Sequence, residues 1–358
     1  VMAIGVTTTA WADGEGTTAN VAKIGETGYA TLADAIANAQ VGETIVLQAN
    51  AAINSNTQIT KDVAIDLNGK TVTVTTVGTQ NAFEVQNGAT FTIKDSGTGG
   101  KLDLGKFGIM LMNSKLKIEG GEIKVSPANP GAGVVVAAIG DSEVTMTGGK
   151  VVATNTACFN AGYFGTQTFN ISGGTLESKG ASTALMGISN NFGGHTEMTI
   201  SGGNVRILDA SDDGLNTGGS DSGSYAMTIT GGYIYVNASG DGVDSNSTWE
   251  MSGGTLLVCG PTSGGDGSLD ADGNMTYHIG TTAANAAVRN AASGETVTVV
   301  KGNAALTDVP VGVTVANNGA GTVTVNGSGA ITEGNPYTVP ARYYYNSTTT
   351  TTDTKTDG

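Results

Sequence analysis

The sequence predicts a single all-β domain: a right-handed parallel β-helix with a short N-terminal capping helix. Three observations lead there. Glycine supplies 56 of 358 residues against 6 prolines, without a strict period of three, which excludes collagen and a proline-rich linker. Aromatics make up 5% and charged residues 13%, so a core has to be built from Val, Ile, Leu, Met and Ala. Finally, one pattern, apolar-x-apolar-x-Gly-Gly-x-apolar-x-apolar, occurs six times: LKIEGGEIKV, VTMTGGKVVA, FNISGGTLES, MTISGGNVRI, MTITGGYIYV and WEMSGGTLLV.

The first glycines of these units are Gly120, Gly148, Gly173, Gly202, Gly231 and Gly253, spaced 28, 25, 29, 29 and 22 residues apart. Four residues before each stand Leu116, Val144, Phe169, Met198, Met227 and Trp249; two before stand Ile118, Met146, Ile171, Ile200, Ile229 and Met251. Three after stand Ile123, Val151, Leu176, Val205, Ile234 and Leu256. All are apolar with a period of two, which is strand alternation, and the glycine pair turns a corner between two strands. A unit this short cannot bury its apolar side alone, so the units must stack. Leucine-rich repeats lack this signature and propeller blades run to ~40 residues or more. A parallel β-helix fits, with rungs ~4.8 Å apart and loops of unequal length at one corner. Right-handedness follows from the rule for parallel crossovers.

The elements follow in order. Residues 1–12 end in Ala10-Trp11-Ala12, a small-x-small pattern, and read as the remnant of a secretory signal. Residues 13–43 form an N-terminal cap, in which 30–39 place Leu32, Ala35, Ile36 and Ala39 at helical spacing over the open end of the stack. The β-helix spans 44–335. VAIDLNGKTVTV and FEVQNGATFTIKD are looser early coils, and 294–335 forms either the last coils or a small cap. Residues 336–358, Thr-rich and polar, form a disordered tail. Cys158 and Cys259 stand about four rungs, or ~19 Å, apart, beyond the ~7 Å reach of a disulfide; two buried free thiols are expected. No apolar run reaches the ~18 residues of a membrane span.

Net charge is −15, and Lys and Arg are too few and scattered for a phosphate-binding surface, so nucleic acid is excluded as a partner. Three loops after the Gly-Gly corners share a second pattern: ASDDGLNTGG, ASGDGVDSNS and GGDGSLDADG. Asp213, Asp241 and Asp266 each precede a glycine, with Asp212 beside the first. An apolar residue follows (Leu215, Val243, Leu269), then Asn216, Asp244 or Asp270, and two residues on Asn246 and Asp272. Stacking brings these carboxylates about one rung apart, unfavourable without a cation among them. Asp and Asn oxygens on glycine-permitted turns are hard ligands suited to Ca²⁺, and no Cys/His group suits zinc. Asp-Gly is also a common tight-turn dipeptide, but the preceding coil, SKGASTALMGISNN, has no acids, so the cluster is local.

Beyond the glycine pair, Glu177, Arg206, Tyr235 and Leu257 form one outward column, and Thr175, Asn204, Tyr233 and Thr255 another. Arg206, Tyr233 and Tyr235 are candidate carbohydrate-binding residues, since a tyrosine beside polar donors matches the apolar face and hydroxyl edges of a sugar. Ordinary strand propensity explains the tyrosines equally well. Trp249 falls in the inward ladder and reads as core.

The run Ser178–Gly273, with SDDGLN, SGDGVDSN and GGDGSLDADG between SGG corners, resembles secreted clostridial carbohydrate-binding proteins with a calcium-binding, pectate-lyase-like right-handed parallel β-helix; ITGGYIYVNASGDGVDSN is its most specific piece. The resemblance implies a calcium and carbohydrate region at 178–275 and non-catalytic binding of plant-type polysaccharide, cellulose or polygalacturonate. It also implies a location outside the cell or on a bacterial surface. Extracellular polysaccharide is then the partner, with no membrane insertion and a monomeric chain. A pectate-lyase-like enzyme would need a basic residue beside the metal, for which Arg206 is the one candidate near the cluster. A polygalacturonase-like hydrolase would need Asp pairs followed by Gly-His-Gly and Arg-x-Lys. Here Asp212-Asp213 is present, His195 lies upstream in GGHTE, and the last element is missing. A structural stalk or adhesin, stiffened by calcium, is a third reading.

Overall fold

The protein is described by a computed structural model covering residues 20–74, 81–105, 108–125, 134–161, 164–179, 188–190, 195–218, 226–246, 248–259, 269 and 275–277, and then 293–294, 296–299, 304–307, 309–317, 321–340, 345–346 and 352–353. The chain winds as a parallel β-solenoid with three walls. The first wall runs from Glu43–Leu47 through Val63–Asp66, Thr90–Lys94, Lys115–Ile118, Ser142–Met146 and Thr166–Ile171. It continues in the first halves of three long strands, His195–Ala210, Ala226–Ala238 and Thr248–Cys259, to Met275–Tyr277. The second wall runs from Ala51–Ile53 to Thr175–Lys179 and the second halves of the same long strands. The third is an 8-stranded parallel ladder from Thr57–Ile59 to Val243–Ser245.

The repeat columns are physical ladders. Leu116, Val144, Phe169, Met198, Met227 and Trp249 pair in register from coil to coil, as do the Ile118-to-Met251 and Ile123-to-Leu256 columns. Every described side chain in the three columns is buried, because a period of two sends alternate residues inside. Trp249 holds its register opposite Met227, but its side chain lies outside the described residues. On the outer face, registered neighbours of opposite charge pair: Lys115 with Glu143 at 3.1 Å and Lys101 with Glu122 at 3.6 Å.

The Gly-Gly corner needs glycine twice, for two reasons. The second glycine takes a left-handed conformation at each corner, as at Gly203 (φ 80°) and Gly232 (φ 85°), which L side chains rarely adopt. The first does not, but a Cβ there would strike the corner one coil below: at Gly148 the Glu119 carbonyl oxygen, at Gly231 that of Ser201. The earlier coils turn instead on Asn-Gly, with Asn68-Gly69 between the first and second walls and Asn87-Gly88 between the third and first.

The N-terminal cap is more elaborate than the sequence suggests. The helix covers Leu32–Asn38 and is N-capped by Thr31, whose Oγ1 accepts from the Asp34 N–H; Leu32, Ala35, Ile36 and Ala39 are buried. The strand edge itself is closed by an antiparallel hairpin, Ala22–Ile24 and Thr27–Tyr29, whose first strand pairs with Glu43–Leu47. The hairpin leaves the three-residue Thr27–Tyr29 as the outer strand, and so short an edge is a poor template for a further chain. Residues 1–19, and with them the signal-like segment, lie outside the described residues.

The other end departs from a continuous 44–335 helix. Parallel pairs Thr296–Val299 with Thr314–Asn317 and Ala304–Leu306 with Val323–Val325 form a small unit with its own apolar cluster. Tyr337–Thr338 adds an antiparallel strand and Val339 is buried, so the polar tail starts later than position 336. Short pairing between Tyr345–Asn346 and Thr352–Asp353 adds local order within the tail. The unit's cluster takes in Leu257 and packs against Tyr235, both on the outer side of the second wall. It is a cap laid sideways, not a further rung.

Cys158 is a buried free thiol whose Sγ donates to the Glu177 carbonyl oxygen at 3.3 Å. Burial pushes its pKa far above the ordinary thiol range, which keeps it unreactive. The Cys259 side chain lies outside the described residues. Among the described residues no helix is long and apolar enough to cross a membrane.

Candidate metal centre

The loops between the second and third walls bring Asp212-Asp213-Gly214 of one coil against Gly240-Asp241-Gly242 of the next. The Gly214 N–H donates to the Asp241 carbonyl (2.8 Å), and the Gly240 N–H to the Asp212 carbonyl (3.2 Å). The glycines here are not left-handed; they permit close approach. A Cβ on Gly240 would sit 2.7 Å from Asp213 Oδ1, and one on Gly214 would strike Val236 and crowd the Gly242 carbonyl. Close stacking of one coil on the next thus accounts for glycine at Gly214 and Gly240.

After the loops the ladder resumes in register: Leu215 opposite Val243, Asn216 opposite Asp244, Thr217 opposite Ser245, with Val243 bridged to Leu269. Leu215, Val243 and Leu269 are buried, as alternation requires. Asp213, Asp241 and Asp244 each bring a carboxylate oxygen into a group within which all lie less than 4.8 Å apart. Asp213 and Asp241 are each 9% exposed and Asn216 6%, while Asp244 is half-buried, so the cluster is recessed and opens to solvent on the Asp244 side.

Three internal hydrogen bonds organise the group. Asp213 Oδ1 accepts from the Asp241 N–H at 2.8 Å. Asn216 Nδ2 donates to Asp213 Oδ2 at 2.8 Å and to Asp244 Oδ2 at 2.6 Å, tying adjacent coils together. Asn216 Oδ1, buried as well, has no hydrogen-bond partner. Beneath, on the inward side, the Thr217 hydroxyl donates to Ser245 Oγ at 3.0 Å, both fully buried. Sequence reading missed that pair; polar residues at two inward positions, one coil apart, were the available signal.

Of the remaining expected ligands, Asp212 stays outside the three-carboxylate group. Asn246 follows one residue beyond Ser245, its N–H bonded to the Thr217 carbonyl at 2.9 Å. Asn246 Oδ1 lies beside Gly218, where a Cβ would strike it and would also stand 3.1 Å from Asn216 Oδ1. Asp266, Asp270 and Asp272 lie outside the described residues. The donor set is all oxygen, carboxylate plus amide, and holds no His or Cys, as a hard divalent cation such as Ca²⁺ requires. Asn216 Oδ1 is a further oxygen of this kind, buried and without a donor, but it is the end of the amide opposite to the Nδ2 that faces the carboxylates.

The outward columns of the second wall are also in register: Glu177, Arg206, Tyr235, Leu257 and Thr175, Asn204, Tyr233, Thr255. Their surroundings differ along the stack. Arg206 is exposed and stands 3.9 Å from Glu177. Tyr233 is half-buried, and Tyr235 is half-buried with its packing directed to the C-terminal unit, while Leu257 is wholly covered by it. Tyr235 is therefore better described as part of an internal contact than as an open sugar platform. Arg206 is the exposed member of the two columns on these coils, with Tyr233 half-buried beside it.

Fold and site together define a class: a parallel β-solenoid that gathers three carboxylates from adjacent coils at one corner, a group that could hold a metal ion. Comparison with known proteins goes no further, since no family model, no curated protein and no solved structure matches the chain.

Proposed function

We propose that the protein binds extracellular polysaccharide of plant type, cellulose or polygalacturonate, in a calcium-dependent and non-catalytic manner, as a secreted or bacterial surface protein. The observation that carries this reading is the recessed group of Asp213, Asp241 and Asp244, three carboxylates from two neighbouring coils within 4.8 Å. Such a group is unfavourable without a counter-charge, and calcium supplies both that charge and a bridge from a −15 protein to an acidic uronate chain. Asp213, Asn216, Asp241 and Asp244 would hold the ion, with the glycan lying toward Arg206 and Tyr233. Calcium's chemical part is charge compensation and coordination of sugar oxygens.

Binding is favoured over cleavage by Arg206. A lyase needs a base facing the acidified proton, whereas Arg206 lies on the second wall with Glu177 as its neighbour at 3.9 Å.

The test is retention on insoluble cellulose and on calcium-crosslinked pectate, with and without chelator, alongside ultraviolet absorbance for unsaturated products. Retention that chelator abolishes, with flat absorbance, is the expected result. Rising absorbance would replace the reading with a lyase, and no retention on either glycan would leave a structural stalk.

A further inference from the structure

We infer that Asn216 is a two-position element of the metal centre: its amide bridges the carboxylates when its N–H₂ points at them, and becomes a ligand when it turns over. This rests on the calcium reading above. As it stands, Asn216 Nδ2 occupies the place between Asp213 Oδ2 (2.8 Å) and Asp244 Oδ2 (2.6 Å). A cation and two N–H donors cannot share that place, because the amide hydrogens and the ion repel. The opposite end of the same amide is buried and bonded to nothing: Asn216 Oδ1 has no hydrogen-bond partner, in a residue 6% exposed. Rotation about χ2 exchanges the two ends at little steric change, since this torsion is broad and two-fold.

The exchange improves both sides. Oδ1 would face the carboxylates and add a fourth oxygen to a cation held by Asp213, Asp241 and Asp244. Nδ2 would face the niche at Gly218, where Asn246 Oδ1 lies; a Cβ on Gly218 would strike Asn246 Oδ1 and stand 3.1 Å from Asn216 Oδ1, so the two amides share that niche. Asparagine suits both positions: a carboxylate would be a stronger ligand but could not bridge Asp213 and Asp244 without the ion, and would leave four acids together.

The experiment compares the full chain with Asn216→Asp and Asn216→Leu by thermal unfolding in chelator and by calorimetric titration with calcium alone. In chelator, Asn216→Asp is expected to unfold several degrees below the parent, through loss of the bridge and the added repulsion. With calcium its stabilisation should exceed that of the parent. Asn216→Leu, which can neither bridge nor ligate, should bind calcium about 10–100-fold more weakly. Parent-like stability of Asn216→Asp in chelator would overturn the bridging role, and parent-like affinity in Asn216→Leu the ligand role. If Asn216→Leu does not fold, Asn216→Asp decides alone: calcium stabilisation no greater than the parent's overturns the ligand role. Absence of calcium binding by the parent would instead overturn the calcium reading, and is separable because the chelator comparison involves no metal.

Discussion

Two corners of the same coils are built by different rules. Between the first and second walls, the chain turns six times on Gly-Gly, and at the last five of these corners the glycines meet only backbone of the coil below. Between the second and third walls, the loops carry Asp-Gly, and the room that glycine leaves at Gly240 is filled by the Asp213 and Asp212 carboxylate oxygens of the coil below. The first corner uses missing side chains to stack main chain on main chain; the second uses them to seat carboxylates against main chain. A glycine-rich solenoid can thus be rigid at one edge and chemically equipped at the next, with the rung spacing doing both jobs.

Breaking the first corner should have the largest effect. Gly232→Ala places a Cβ in left-handed backbone and 2.8 Å from the Gly202 carbonyl oxygen; a loss of roughly 3 kcal/mol is expected, read by urea unfolding. Gly88→Ala sharpens the point. Gly88 is also left-handed (φ 73°), but nothing lies within 4 Å of its Cβ position. Only the strain remains, at ~1 kcal/mol, and equal losses at the two positions would refute a separate stacking contribution.

Next comes the contact between the C-terminal unit and the second wall. Leu257→Ala removes the fully buried side chain that joins the two; about 2 kcal/mol is expected, the low end for a buried Leu. The loss should appear as faster proteolysis within 296–339 while the first-wall strands stay protected from hydrogen exchange. Uniform loss of protection would mean the unit is not separable from the stack.

At the second corner the expected change is in affinity more than in stability. Asp241→Ala and Asp244→Ala should each abolish one calcium-binding event in calorimetry, while Asp212→Ala, outside the group, should leave it in place. An unchanged titration in Asp244→Ala would remove this cluster from consideration.

The smallest effect belongs to the outer face. The Lys115 ammonium, 3.1 Å away, lowers the Glu143 pKa below its ordinary value against a modest opposing burial effect. A lowered carboxyl pKa contributes stability that is complete above the unfolded value and is lost as pH falls through the folded one. Solvent screening limits it, so Glu143→Gln should change stability by no more than ~0.5 kcal/mol at neutral pH, and less in high salt.

Much of this was legible in the chain because the constraint is local and repeated. Strand alternation beside a glycine pair needs no knowledge of the rest of the molecule, and register in a one-dimensional stack is enforced by each neighbour in turn; hence Leu116 to Met227, and Asn216 opposite Asp244, fell where the spacing put them. What was illegible depended on returns of the chain from a distance. The hairpin at Ala22–Tyr29 is too short to carry a signal of its own. The departure of 296–339 from the ladder leaves Val-Thr alternation unchanged, since a sideways cap and a further rung share one pattern. Tyr235 and Leu257 looked like open surface for the same reason.

From the sequence alone came the wall-building period, the apolar ladders and the stacking of acidic loops, all set by alternation and by the absence of a Cβ at fixed intervals. Only the tertiary structure decided which aspartates meet. Three carboxylates converge on one recessed point while Asp212, adjacent in the chain, stays outside, because convergence depends on how far one coil's loop reaches over the next. It alone also showed the second wall's outer column running from open at Arg206 to covered at Leu257, because burial on an outer face depends on what the chain lays over it later.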